Sequence, residues 1–188
     1  MTKVPEVIPM TQISVDGDGN SVVRCVRPMT YALMTFVKVN MGMPDTIDIS
    51  EDETRGSWTI TVPVVPEADD KDDAGSLEVD IETYEEREFI TLDIYLGSYE
   101  LSKKQLAKLS DYILLINNRL IAGHFQLQDQ SFVRYHASID FKGVASPDRN
   151  YQGPHLVQPK LIENMFEFGL AAARRFYGEL PAVLEGKR

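Results

Sequence analysis

The sequence predicts an α+β chain: one antiparallel sheet of five strands carrying three helices, in the order α-β-β-β-α-β-β-α. Two observations lead there. Five short runs alternate apolar with polar residues at a period of two, as strands do when one face is buried and the other is wet. Three longer segments instead carry apolar residues at helical spacing, each introduced by a proline or by a capping residue.

Residues 1–27 read as an N-terminal extension and residues 28–188 as a single domain. Pro5, Pro9 and the stretch Asp16-Gly17-Asp18-Gly19-Asn20 make an extended lead-in with a tight turn. Asp16, Asp18 and Asn20 have calcium-loop spacing. The motif then fails, because Ser21 stands where such a loop needs glycine and Arg27 where it needs the bidentate glutamate.

Pro28 suits the first turn of a helix that ends at about Gly42, with Pro44 just beyond. On a helical wheel its apolar residues, among them Leu33, Met34, Phe36, Val37 and Met41, cover more than half the circumference. A sheet can bury one stripe, Leu33, Phe36 and Val37, which leaves Met34 and Met41 at the margin. Methionine adapts to varied apolar partners, so Met34, Met41 and the nearby Trp58 are the expected docking strip for a partner.

From Ser57 to Val65, Trp58, Ile60, Val62 and Val64 alternate with Thr59, Thr61 and Pro63, a strand whose proline places it at an edge or marks its end. Pro66 to Ser76 is rich in Asp and reads as a mobile loop. Leu77, Val79 and Ile81, then Ile90, Leu92, Ile94 and Leu96, form a hairpin around the charged turn Glu85 to Arg87, with one apolar and one acidic face.

The second helix has the clearest start. Ser102 and Gln105 form a capping box, Leu101 and Leu106 a hydrophobic staple, and the helix should run from Lys103 to about Asn117. Runs Ile121 to Gln128 and Ser131 to Phe141 then form a second hairpin, with Phe125 and Leu127 on the same face as Val133 and Tyr135. Keeping both apolar sets together requires paired residues of equal parity, hence an odd number of residues in the loop around Gln130. Gly143 to His155 is a loop, and Pro159 opens the last helix, expected to reach Tyr177 with Leu161, Met165, Phe168, Ala172 and Phe176 inward. Gly169 within it signals a close approach by another element.

With 188 residues, 43% of them hydrophobic and 26% charged, the chain has ordinary globular usage. The one cysteine, Cys25, cannot close an intramolecular disulfide or build a multi-cysteine zinc site. Neither a signal peptide nor an apolar run of membrane-spanning length is apparent, so the sequence predicts a cytoplasmic protein away from the membrane. Charge is unevenly spread. Residues 45–93 hold 17 acids against Arg55, Lys71 and Arg87, a net of −14, whereas the remainder holds 16 basic and 12 acidic residues, a net of +4. Such a field repels phosphate backbones, and no basic stripe is interleaved with aromatics, so a nucleic-acid partner is disfavoured. The acidic region reads as a solvated face or as a docking surface for a basic segment.

The second half of the chain resembles the YbjN family of bacterial proteins, whose fold is similar to that of type III secretion chaperones. The resemblance is carried by Tyr112-Ile113-Leu114-Leu115-Ile116-Asn117-Asn118, Gly123-His124-Phe125-Gln126-Leu127, Phe132-Val133-Arg134-Tyr135 and the closing run Arg175 to Leu184. It implies a non-enzymatic, chaperone-like or regulatory protein (a sensory transduction regulator), a homodimer that binds another polypeptide without a cofactor. The alternative is a small enzyme with an unrecognised site. Against it, His124 and His136 fall on outward sides of adjoining strands and His155 in a distant loop, with no carboxylate pair apparent nearby. No phosphate-binding glycine loop, nucleophile elbow or zinc-protease helix is present either.

Overall fold

The computed structural model describes residues 11–15, 21–25, 28–42, 46–51, 54–64, 75–141 and 159–187. The expected turn at Asp16 to Asn20, the acidic loop from Pro66 as far as residue 74, and the loop Gly143 to His155 lie outside these residues. Strands β1 (Thr11–Val15) and β2 (Ser21–Cys25) pair antiparallel as a separate two-stranded sheet, so the lead-in contains a hairpin. Then follow α1 (Pro28–Met41), β3 (Asp48–Ile49), β4 (Arg55–Pro63), β5 (Ser76–Tyr84), β6 (Phe89–Ser98), α2 (Lys103–Asn117), β7 (His124–Gln128), β8 (Phe132–Asp140) and α3 (Pro159–Glu185). The class is α+β, with a main antiparallel sheet of order β3-β4-β5-β6-β8-β7.

That sheet has six strands where five were expected. The addition is β3, two residues paired with Ser57 and Gly56, too short to show any period in the sequence. Pro63 ends β4, as the missing amide donor requires. The second hairpin keeps the expected parity: Gln128 pairs with Phe132 across Asp129, Gln130 and Ser131, and His124 stands opposite His136.

The described residues fall into two compact units, one within Met1–Trp58, Glu82–Ile90 and Ile139–Glu163, the other within Thr59–Ile81, Thr91–Ser138 and Asn164–Arg188. In the first, Met29, Ala32, Leu33, Phe36 and Val37 of α1 are buried. Phe36 meets Trp58 edge to face at 5.9 Å, and the Trp58 indole N–H donates to Thr46 Oγ1 at 3.1 Å. The N-terminus of α1 is capped from a distant turn. Glu85, in the short 3₁₀ turn Glu85–Arg87, accepts the Thr30 backbone N–H at 2.7 Å, which places a carboxylate at the positive end of the helix dipole. At the other end Gly42, with φ of +70°, donates its N–H to the Lys38 carbonyl and stops the helix.

In the second unit Leu77, Val79, Ile81, Leu92, Ile94, Val133 and Tyr135 form one buried sheet face. Each fully buried aliphatic side chain contributes about 1.5–3 kcal/mol of transfer free energy. The capping box of α2 is complete: Ser102 Oγ accepts from the Gln105 N–H, and Gln105 Oε1 accepts from the Ser102 N–H. Helix α3 is longer than expected, and its inward face is the expected one only in part. It continues through Pro181 to Glu185; Met165 and Phe176 are buried as expected, together with Phe166, Leu170 and Ala173, whereas Leu161 and Phe168 are exposed. Gly169 marks the face that approaches the sheet: a Cβ there would stand 2.6 Å from Leu92 Cδ2 and 3.0 Å from Ile94 Cδ1.

Candidate functional site

Helix α2 carries five consecutive apolar residues, Tyr112 to Ile116, and consecutive helical positions point in different directions. Tyr112 and Ile113 are buried, Ile116 is half-buried, and Leu114 and Leu115 are left 64% and 48% exposed, with Ile121 fully exposed just beyond the helix. Beside them a groove of about 580 Å³ runs between α2 and the second half of α3. Tyr112, Phe125 and Phe176 line it as a packed aromatic cluster: the Phe125 and Phe176 rings stack at 4.5 Å, and Tyr112 tilts against Phe176 at 5.5 Å. Leu115, Ile116, Leu120 and Val183 extend this apolar lining.

Charged groups rim the groove. Glu179 accepts from the Tyr112 hydroxyl and from Arg175 Nε at 3.2 Å, and Lys108 Nζ donates to the Leu184 carbonyl at 3.3 Å. Asp111 and Arg119 complete the rim, so three cations face two carboxylates. The walls are fixed by local chemistry. Asn117, the last residue of α2, accepts the Phe125 N–H at 2.7 Å and donates to the Phe125 carbonyl at 2.9 Å, so its amide acts as one more strand beside β7.

The strip expected on α1 is placed differently. Met34 is 4% exposed and Trp58 2%, so neither offers surface to a partner, while Met41 is half-buried and its neighbour Val39 is exposed. The wide apolar surface of α1 is therefore mostly interior. The residues of the α2–α3 groove escaped sequence reasoning, although the unbroken run Tyr112 to Ile116 was a usable signal: an apolar run on every side of a helix cannot all face one sheet.

The outward face of β6, β8 and β7 carries a polar group. His124 and His136 are directly opposite, with ring centroids 5.5 Å apart. His136 Nδ1 bonds Asp93 Oδ1 at 2.9 Å, the carboxylate that the sequence had not placed beside it. Burial, His136 and Arg134 together push the His124 imidazole below its ordinary pKa, which keeps it neutral near pH 7. Among the described residues no three His, Cys, Asp or Glu side chains assemble as a metal cluster, and no helix is long and apolar enough to cross a membrane.

No family model matches the chain. No curated protein matches it either. Among solved structures, the chain is similar to one described as the crystal structure of the ExsC-ExsE complex, at 14% identity and a TM-score of 0.44, over 81% of this chain and 92% of that one.

Proposed function

We propose that this chain is a non-enzymatic protein-binding module of chaperone-like or regulatory type, working as one domain over residues 28–188, and that its partner docks in the α2–α3 groove. The observation that carries the reading is the exposed apolar margin of Leu114, Leu115 and Ile121 beside a groove whose floor is the buried aromatic cluster Tyr112, Phe125 and Phe176. Exposed clusters of large apolar side chains are uncommon on surfaces that stay free, because each contact with water forgoes burial. A helix laid in the groove would bury such leucines against its own apolar stripe, with the basic excess of the rim favouring acidic flanks. The sequence resemblance to YbjN proteins supports the same class of role and adds a homodimer and a cytoplasmic setting to the proposal.

The test is capture from the protein's own cell extract. Leu115→Asp and Leu114→Asp should abolish recovery of the partner while leaving stability within about 1 kcal/mol, as exposed positions allow. Full recovery with both variants would sink the reading. The mass in solution at micromolar concentration checks the dimer, and a monomer there removes that part of it.

A further inference from the structure

The outward face of the β6-β8-β7 region holds an arrangement the groove does not use. His124 and His136 are cross-strand partners on the same face of a paired ladder, where side chains opposite one another stand close enough to act together. Each ring is oriented by its own neighbour. His136 donates from Nδ1 to Asp93 at 2.9 Å, which leaves the lone pair on Nε2. The Gln126 side-chain oxygen accepts from Arg134 Nε at 2.8 Å, so its NH2 group is the one that meets His124 Nε2 at 2.6 Å. That contact requires an acceptor, so the lone pair of His124 is also on Nε2. Arg134 further reaches Asp93 through Nη1 at 3.3 Å and thus braces both orienting groups.

We infer that His124 and His136 form a two-imidazole chelate for a divalent late transition-metal ion on the outward face of the sheet. The separation is within reach of one ion. With metal–nitrogen bonds of about 2.1 Å, two imidazoles hold their ring centroids about 5 Å apart on a tetrahedral ion and about 4.5 Å apart when adjacent on a tetragonal one, so the rings, 5.5 Å apart here, close on the ion by about 0.5–1 Å of side-chain rotation. A carboxylate on the far nitrogen of a ligating histidine fixes its tautomer and raises its basicity, the relation Asp93 already has to His136. At His124 the ion takes the lone-pair position that the Gln126 amide occupies, and the amide turns away. Water completes the coordination, since the protein supplies two ligands. Neutral imidazoles rank such ions in the usual order, with Cu2+ bound more tightly than Ni2+ or Zn2+. Bound there, the ion ties edge strand β7 to β8 and stabilises the hairpin by mass action.

The experiment uses the full-length protein without an affinity tag, titrated with Cu2+ alone near neutral pH, read by calorimetry, pulsed electron paramagnetic resonance and thermal melting. Expected are one tight site, a signature of two coordinated imidazoles, and a melting temperature that rises with the metal. His124→Gln and His136→Gln should each weaken binding at least tenfold and leave one imidazole or none in the spectrum, without altering the metal-free melt. Asp93→Asn should weaken binding about tenfold while keeping both imidazoles, as loss of an orienting carboxylate does. His155→Gln should change nothing. Binding that survives in the His124→Gln, His136→Gln double variant, a one-imidazole spectrum in the unaltered protein, or loss of the site on His155→Gln would each overturn the inference. A variant that shifts the metal-free melt is replaced by the corresponding alanine, and the same outcomes decide.

Discussion

Asn117 shows how much one side chain can hold. Its amide pairs with both backbone groups of Phe125, whose side chain is 2% exposed and stacks in the aromatic floor of the groove. Asn117→Ala would leave a donor and an acceptor without that partner, so we expect a loss of about 2 kcal/mol of unfolding free energy by denaturant titration. If the loss stays below about 0.5 kcal/mol, water replaces the amide and the floor does not depend on it. Met34 is the residue whose role the structure most changes. At 4% exposure, Met34→Asp places a carboxylate without a partner in the interior, and we expect about 4 kcal/mol of destabilisation or outright unfolding. A stable, soluble Met34→Asp protein would return the α1 margin, with Met41, Val39 and Trp58, to consideration as a docking surface.

At the scale of elements, α3 is the instructive case. Proline inside a helix removes a hydrogen bond and crowds the preceding turn, so the natural expectation is an end near Tyr177. The helix continues because its last turns bury Leu180 and Val183, and because Lys108 of α2 donates to the Leu184 carbonyl. Side-chain burial of that size offsets the penalty at Pro181. Pro181→Ala should therefore leave the fold unchanged and raise stability by about 1–2 kcal/mol, read as an upward shift of the thermal midpoint. A decrease would mean that Pro181 sets a bend the last turns require. The inward face of α3 has a related cause. Leu161 and Phe168 were expected inward with Met165 and Phe176, but Phe166, Leu170 and Ala173 are also apolar, and periodicity alone does not choose which of them join Met165 and Phe176 inside. Gly169 does, because a backbone that close to Leu92 and Ile94 fixes which side faces the sheet.

At the scale of the molecule, alkali is the informative stress. Tyr95 is pushed up to about 12 by burial and by the Asp80 and Asp93 carboxylates, and Tyr99 to about 12 by burial and Tyr177. Burial also raises Tyr135. In the unfolded chain these phenols titrate near pH 10, so above that pH the unfolded state releases protons first and gains on the folded state. The stability they contribute is whole below pH 10 and is lost as pH rises through about 12. Unfolding and tyrosinate absorbance should accordingly rise together in that window. Free titration of all eight tyrosines near pH 10 with the fold intact would contradict the burial of these groups.

Local chemistry determined most of the elements. The capping box of Ser102 and Gln105, the stop at Gly42, the alternation from Leu77 to Leu96 and the odd loop after Gln128 are short-range signals, and each acts within a few residues of where it is written. Parity even brought His124 opposite His136. Tertiary packing alone decided what is exposed. An apolar residue carries no mark of whether a neighbour will cover it, so Met34 and Trp58 went inside while Leu114, Leu115 and Ile121 stayed in water. The partners of Glu85 and Asp93 were equally unreadable, because they are set by the meeting of distant segments: a capped helix and an oriented histidine depend on chain separations that no local pattern encodes.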